Sequence, residues 1–272
     1  MKRIVVCAVA LLLALPAPTS AGRGRDPLLG EQWGLVMIDA EGAWMTARGD
    51  GAVIAVLDSG IAVDHPDLRG NVGRAYDAVT GRPGPGEPGS HGTWVAGIAA
   101  AVGGNGEGIS GVAPAATIMP VRVCDDECPA RAVAAGIRYA ARHGADVINL
   151  SLYVGLLDEG IDDVLDAAAF ARDRGAVVVA AAGNNSEPWC VEPAASALCV
   201  GATDRWDRPA SYSNRDVAMR SRYLVAPGGS WYEDCAGMVV STTPHRTGPT
   251  VCAEGSYYAR TFGTSGAAPH VS

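Results

Sequence analysis

The sequence predicts an α/β domain with a central, mostly parallel β-sheet and helices on both faces. Three observations carry this expectation. Five short apolar runs, at 52–57, 118–123, 147–152, 177–182 and 197–200, are unbroken rather than alternating, as in strands buried on both faces. Helical patterns over 93–102, 129–143 and 161–174 lie between them, and strands that alternate with helices form parallel sheets. Glycine and alanine are abundant while aromatic residues make up only 6%, which suits close packing of helix on sheet.

Taken in order, the chain opens with a stretch that has the three parts of an export signal. Lys2 and Arg3 are followed by an apolar run over 4–15 and by the small-residue site Ala17-Pro18-Thr19-Ser20-Ala21. The run is short for a membrane span. The expected plan is therefore a signal peptide over 1–21 and one domain over 22–272. The protein is expected outside the cell, with no stable membrane association and as a monomer. Removing residues 1–21 leaves 251 residues, enough for one large core, and takes the net charge from −8 to −10. An acidic surface argues against nucleic acid as a partner.

Beyond the signal, six cysteines remain: Cys124, Cys128, Cys190, Cys199, Cys235 and Cys252. An even number behind an export signal implies disulfides. Several pairings are open. Neighbour pairing (124–128, 190–199, 235–252) is the simplest, because each pair brackets a polar or turn-like segment. A zinc site is disfavoured, since no second tight Cys/His pair accompanies Cys124 and Cys128.

The segment 26–44 reads as a surface-hugging arm with a short helix, anchored by Trp33 and Trp44. The first buried strand follows and ends at Asp58-Ser59-Gly60. Residues 78–90, rich in Gly and Pro, read as an exposed loop. Gly103-Gly104-Asn105-Gly106-Glu107-Gly108 is a second loop, and it lacks the Gly-Lys-Ser/Thr ending of a phosphate-binding loop. In parallel sheets ligands sit at the carboxyl ends of the strands. Asp58 and Asn184 both fall just past predicted strand ends.

Four polar positions stand in Gly-flanked settings at element edges: Asp58, His91 in Ser90-His91-Gly92-Thr93, Asn184 in Ala181-Ala182-Gly183-Asn184, and Ser265 in Gly263-Thr264-Ser265-Gly266-Ala267-Ala268-Pro269. Each alone is ordinary turn or cap chemistry. Together they supply one mechanism. A neutral imidazole takes the proton of a serine hydroxyl, a buried carboxylate fixes the imidazole tautomer, and an amide N–H stabilises the oxyanion. The remaining histidines, His65, His143, His245 and His270, sit in turn or helix-end contexts with no nucleophile beside them.

The order Asp, His, Ser, with Val56-Leu57-Asp58-Ser59-Gly60-Ile61, His91-Gly92-Thr93, Val95-Ala96-Gly97, Ala181-Ala182-Gly183-Asn184 and Gly263-Thr264-Ser265, resembles the subtilisin-like serine proteases (subtilases), above all thermitase-like bacterial members. The resemblance covers roughly residues 26–272. It implies the three-layer subtilisin-like α/β fold and a secreted endopeptidase that forms an acyl-enzyme on polypeptide substrates. By resemblance, Asp58 orients His91, His91 is general base and then acid, and Ser265 is the nucleophile. Asn184 and the Ser265 N–H form the oxyanion hole, while Ser151, Leu152, Tyr153, Ala182 and Gly183 bind substrate backbone. Glu192-Pro193 matches a position where the family often has a cis proline.

The resemblance also implies a structural calcium ion. Asp26, Asp67 and Asn105 match family ligand positions, and the carbonyls of Val102, Glu107 and Ile109 complete the set.

Three positions depart from the family pattern. Trp94 stands where a second histidine is usual, Tyr153 replaces a glycine, and Gly266 replaces the commoner methionine. By resemblance the serine helix also continues well past Ser272, so the domain is expected to lack its C-terminal helices. That leaves a second functional expectation open, a catalytically impaired fold that binds peptide without cleaving it. An α/β-hydrolase esterase is disfavoured because Ser comes last here. A dinucleotide-binding protein is disfavoured because no Gly-x-Gly-x-x-Gly follows the first strand.

Overall fold

The computed structural model describes residues 25–153, 159–188, 190, 196–216, 222–245 and 252–272. The signal stretch 1–21 and Glu192-Pro193 lie outside them. The arm carries two short helices, α1 (Trp33–Met37) and α2 (Ala40–Ala43). Both anchors hold: Trp33 Nε1–H donates to the Met238 carbonyl at 3.0 Å and Trp44 Nε1–H to the Val112 carbonyl at 2.8 Å.

The main sheet is built from β1 (Val53–Asp58), β2 (Tyr76–Asp77), β3 (Arg82–Pro83), β4 (Thr117–Arg122), β5 (Val147–Leu150), β6 (Val177–Ala181), β7 (Ala197–Thr203) and β8 (Arg222–Pro227). Its order is β3-β2-β4-β1-β5-β6-β7-β8, and every pairing is parallel except β2 with β3. The loop expected over 78–90 thus contains a short edge strand. Between β3 and β4 runs α3 (Ser90–Ala100); α4 (Ala130–Arg142) and α5 (Ile161–Asp173) follow β4 and β5.

The unbroken apolar runs now have their reason. Successive side chains of a strand point to opposite faces, and here both faces are covered. Ala55 and Leu57 pack with α4 and α5, while Ile54 and Val56 pack with α3. Small residues let the layers close up. A methyl group on Gly136 of α4 would stand 2.6 Å from Val123 Cγ1.

A second, antiparallel sheet of β9 (Val239–Thr242), β10 (Ala253–Glu254) and β11 (Tyr258–Thr261) lies against α3. The described chain ends in α6 (Thr264–Ala267) and a 3-10 turn over Ala268–His270, both packed on the main sheet through Ala267 and Ala268. The three disulfides pair neighbours: Cys124–Cys128, Cys190–Cys199 and Cys235–Cys252, with Cα atoms 4.2, 6.4 and 5.3 Å apart.

Candidate active site

Strands β1, β5 and β6 lie near one another in the sheet, and their carboxyl ends deliver Asp58, Ser151 and Asn184 to one edge. Asp58 closes β1 and is 3% exposed. Its carboxylate accepts from the Ser59 N–H at 2.7 Å and faces His91 Nδ1 at 2.8 and 3.0 Å. His91 is the second residue of α3, so the helix start aims the ring at the strand end. Gly92 permits this approach, since a methyl there would stand 2.3 Å from the Gly60 carbonyl oxygen. The His91 side chain is 45% exposed, which leaves the far ring nitrogen open to a substrate. Burial lowers the imidazole pKa, but the charge of Asp58 and the hydrogen bond to it outweigh this and hold it above the ordinary value. A carboxylate on Nδ1 also fixes which nitrogen carries the proton and leaves Nε2 as the acceptor.

Ser265 sits in the first turn of α6, after a bend that only glycine adopts readily, Gly263 at φ +143°. Two reciprocal bonds tie it to the end of β5. Ser151 Oγ–H donates to the Ser265 carbonyl at 2.9 Å, and Ser265 Oγ–H donates to the Ser151 carbonyl at 3.2 Å. Among the described residues no hydrogen bond joins Ser265 Oγ to His91. Asn149, fully buried inside β5, donates to Ser151 Oγ at 2.9 Å. This support is not part of the sequence expectation. Its signal is a lone polar residue in the buried run Val147–Leu150.

Asn184 is oriented just as firmly. Its Oδ1 accepts from both the N–H and the hydroxyl of Thr264 at 2.9 Å. With the carbonyl end of the amide engaged, the Nδ2 end is the free one. Thr264, 1% exposed, also accepts from the Gly183 N–H at 3.1 Å, so one threonine locks the Asn184 loop to the serine turn. Ser151, Leu152, Tyr153, Gly183, Asn184 and Ser265 line a common groove of about 420 Å³. Ala182 does not: it is fully buried against Cys190 and Cys199, and its N–H donates to Val200. Tyr153 is 61% exposed at the groove's end.

Of the positions expected to hold calcium, Asp26, Asp67 and Asn105 lie together at the 103–110 loop, while among the described residues no group of three or more His, Cys, Asp and Glu side chains is placed to hold a metal. Asp26 and Asp67 are 2% and 0% exposed and both face the 103–110 loop. Asp26 accepts from the N–H groups of Gly104 and Gly106 and from Ser110 Oγ, and Asp67 accepts from Asn105 Nδ2 and the Ile109 N–H. Burial pushes the Asp67 carboxyl up to about 6; its hydrogen bonds pull the other way, and the charge of Asp26 adds to the rise. Among the described residues no ion pair reaches either carboxylate.

By its matches to known proteins the chain is a serine-type hydrolase, built on a doubly covered parallel sheet. The class narrows on comparison: residues 49–272 match the family described as Peptidase_S8, the subtilases, and the chain belongs to that family. It is 40% identical over 252 residues to thermitase of Thermoactinomyces vulgaris, covering 91% of this chain and 82% of the relative. It is 36% identical over 244 residues to subtilisin BL of Lederbergia lenta, covering 88% and 80%. Among solved structures, a protease of Pseudoalteromonas arctica PAMC 21717 superposes with a TM-score of 0.75 at 30% identity, covering 92% of this chain and 84% of that one. The chain is a thermitase-like serine protease by family.

Proposed function

We propose that this protein is a secreted endopeptidase in which Asp58, His91 and Ser265 form the catalytic triad. The observation that carries the reading is the 2.8 Å contact of buried Asp58 with His91 Nδ1 beside a groove that contains Ser265. In this account, rotation of the Ser265 hydroxyl away from the Ser151 carbonyl brings it to His91 Nε2. The imidazole takes the proton as Oγ attacks the peptide carbonyl, then returns it to the leaving amine. The oxyanion meets Asn184 Nδ2 and the Ser265 N–H, which lacks an intrahelical partner in the first turn of α6. An extended substrate lies along Ser151-Leu152-Tyr153 and Gly183 as an added strand.

In the same proposal residues 1–21 direct export, and 22–272 carry the catalytic domain. Asp26, Asp67, Asn105 and the carbonyls of Val102, Glu107 and Ile109 would hold a calcium ion. Two buried carboxylates that no ion pair reaches among the described residues support such an ion.

Hydrolysis of a denatured polypeptide tests the catalytic reading. The wild-type chain is expected to cleave it, and Ser265→Ala and His91→Ala to lose nearly all activity. A second reading, peptide binding without cleavage, draws on the Ser265 hydroxyl being turned to Ser151 rather than to His91. It predicts saturable peptide binding with no more hydrolysis by wild type than by Ser265→Ala.

A further inference from the structure

We infer that Trp94 and Gly266 form a matched pair that sets the separation of the catalytic base from the nucleophile, with Trp94 a positioning residue. This rests on the proposed roles of His91 and Ser265. Trp94 lies one helical turn after His91, on the same face of α3, with ring centroids 6.3 Å apart. It is 3% exposed, and its indole reaches across to α6. There it meets Gly266, the residue after Ser265. A methyl group on Gly266 would stand 2.5 Å from Trp94 Cη2 and 3.2 and 3.3 Å from Cζ3 and Cζ2. The edge of the indole therefore rests on a bare α-carbon beside the nucleophile. Read separately, the tryptophan and the glycine are two departures from the family pattern; in space they fill one volume.

The indole has little room to yield. Its Nε1–H donates to the Val239 carbonyl at 3.2 Å. Ser241 Oγ–H and Thr242 Oγ1–H donate to the carbonyls of Trp94 and Thr93 at 2.7 and 2.6 Å, which clamps α3 to β9. Gly97 lies flush on the same two residues, where a methyl would come within 2.3 Å of either hydroxyl oxygen. On the other side, His270 Nδ1–H donates to the Gly266 carbonyl at 2.7 Å. Both partners are held from behind, so added bulk at 266 displaces the serine turn rather than the ring. Displacement of a reacting group by about 1 Å costs on the order of a hundredfold in rate.

A double-mutant cycle tests the pair. Gly266→Ala places the methyl against the outer ring of the indole, although alanine favours helix more than glycine does. It is expected to lower kcat at least about tenfold with KM changed less than about twofold, because Leu152, Tyr153 and Gly183, proposed to bind substrate backbone, lie outside the displaced turn. Trp94→Phe removes the outer ring that carries Cη2. On its own it is expected to lower kcat a few-fold. Combined as Trp94→Phe/Gly266→Ala it is expected to bring kcat back to within about threefold of Trp94→Phe alone. Thermal unfolding of all four proteins separates folding from positioning, since the rescue is read in kcat among folded chains. Unchanged kcat in Gly266→Ala, or a double variant whose loss equals the product of the single losses, overturns the pairing while wild-type activity leaves the triad standing. A wild type no more active than Ser265→Ala overturns both.

Discussion

At the scale of single residues, the groove is a set of side chains each held by a second one. Asn184 presents Nδ2 because Thr264 occupies its Oδ1. Asn184→Ala is therefore expected to lower kcat by about 100- to 1000-fold with little change in KM, a magnitude known from this same family; steady-state kinetics on a peptide ester check it. His91 must be neutral to accept a proton, and Asp58 holds its pKa above the ordinary value despite partial burial. Activity is thus expected to rise with pH through an apparent pKa above the usual histidine value of about 6.5. In Asp58→Asn the charge is gone, so the acid limb is expected to move to lower pH while the plateau falls by roughly four orders of magnitude. A pH–rate profile of both proteins reads this. Asp58, His91, Asn184 and Ser265 are legible in the sequence because each sits in a short motif with its own glycine. Asn149, Ser151 as a support, and Thr264 are not. Their partners lie up to 123 residues away, and only folding brings them together.

At the scale of elements, the N-terminal arm is attached chiefly through the 103–110 loop. Gln32 exchanges two hydrogen bonds with the Ser110 backbone, and Leu28 N–H donates to Gly108 at 2.6 Å. Beneath this attachment lie Asp26 and Asp67. Filling the proposed calcium site should stabilise the arm through the ion's binding free energy. Chelation is expected to lower Tm and added calcium to restore it, with the response lost in Asp67→Asn; calorimetry in buffered calcium checks this. The central strands are legible because their apolar runs are unbroken, and α4 because its apolar residues recur at helical spacing. Strands β8 to β11 are not. Strand β8 is half exposed, with Arg222 and Val225 facing solvent, and β10 is two residues long. Their existence depends on partners elsewhere in the fold rather than on local pattern.

At the scale of the whole molecule, one buried group couples the serine turn, the arm and pH. His270 is enclosed: its Nδ1–H bonds Gly266, and Nε2 lies against Gly34 of α1, where a methyl would come within 2.7 Å. Burial lowers its pKa to about 4, partly opposed by the bond to Gly266. The unfolded chain takes up a proton near pH 6.5 that the folded chain refuses until about 4. The stability from a neutral His270 is therefore complete above that upper value and is lost as pH falls through the window. The Tm gap between wild type and His270→Gln is expected to narrow as pH drops from about 7 to about 4.5, whereas a constant gap would remove His270 from the account. The doubly covered sheet was readable from the five unbroken runs. The way α3 and α6 meet through Trp94 and Gly266 was not, because neither residue has a pattern that announces the other.

The central claim is that Ser265 is a nucleophile activated by the Asp58–His91 pair. Its most direct test is reaction of the wild-type chain with a fluorophosphonate probe, followed by peptide mapping. The account predicts one label, on Ser265, lost in His91→Ala and strongly slowed in Asp58→Asn. Absence of label on the folded wild-type chain, or equal labelling of Ser265 in His91→Ala, would contradict it.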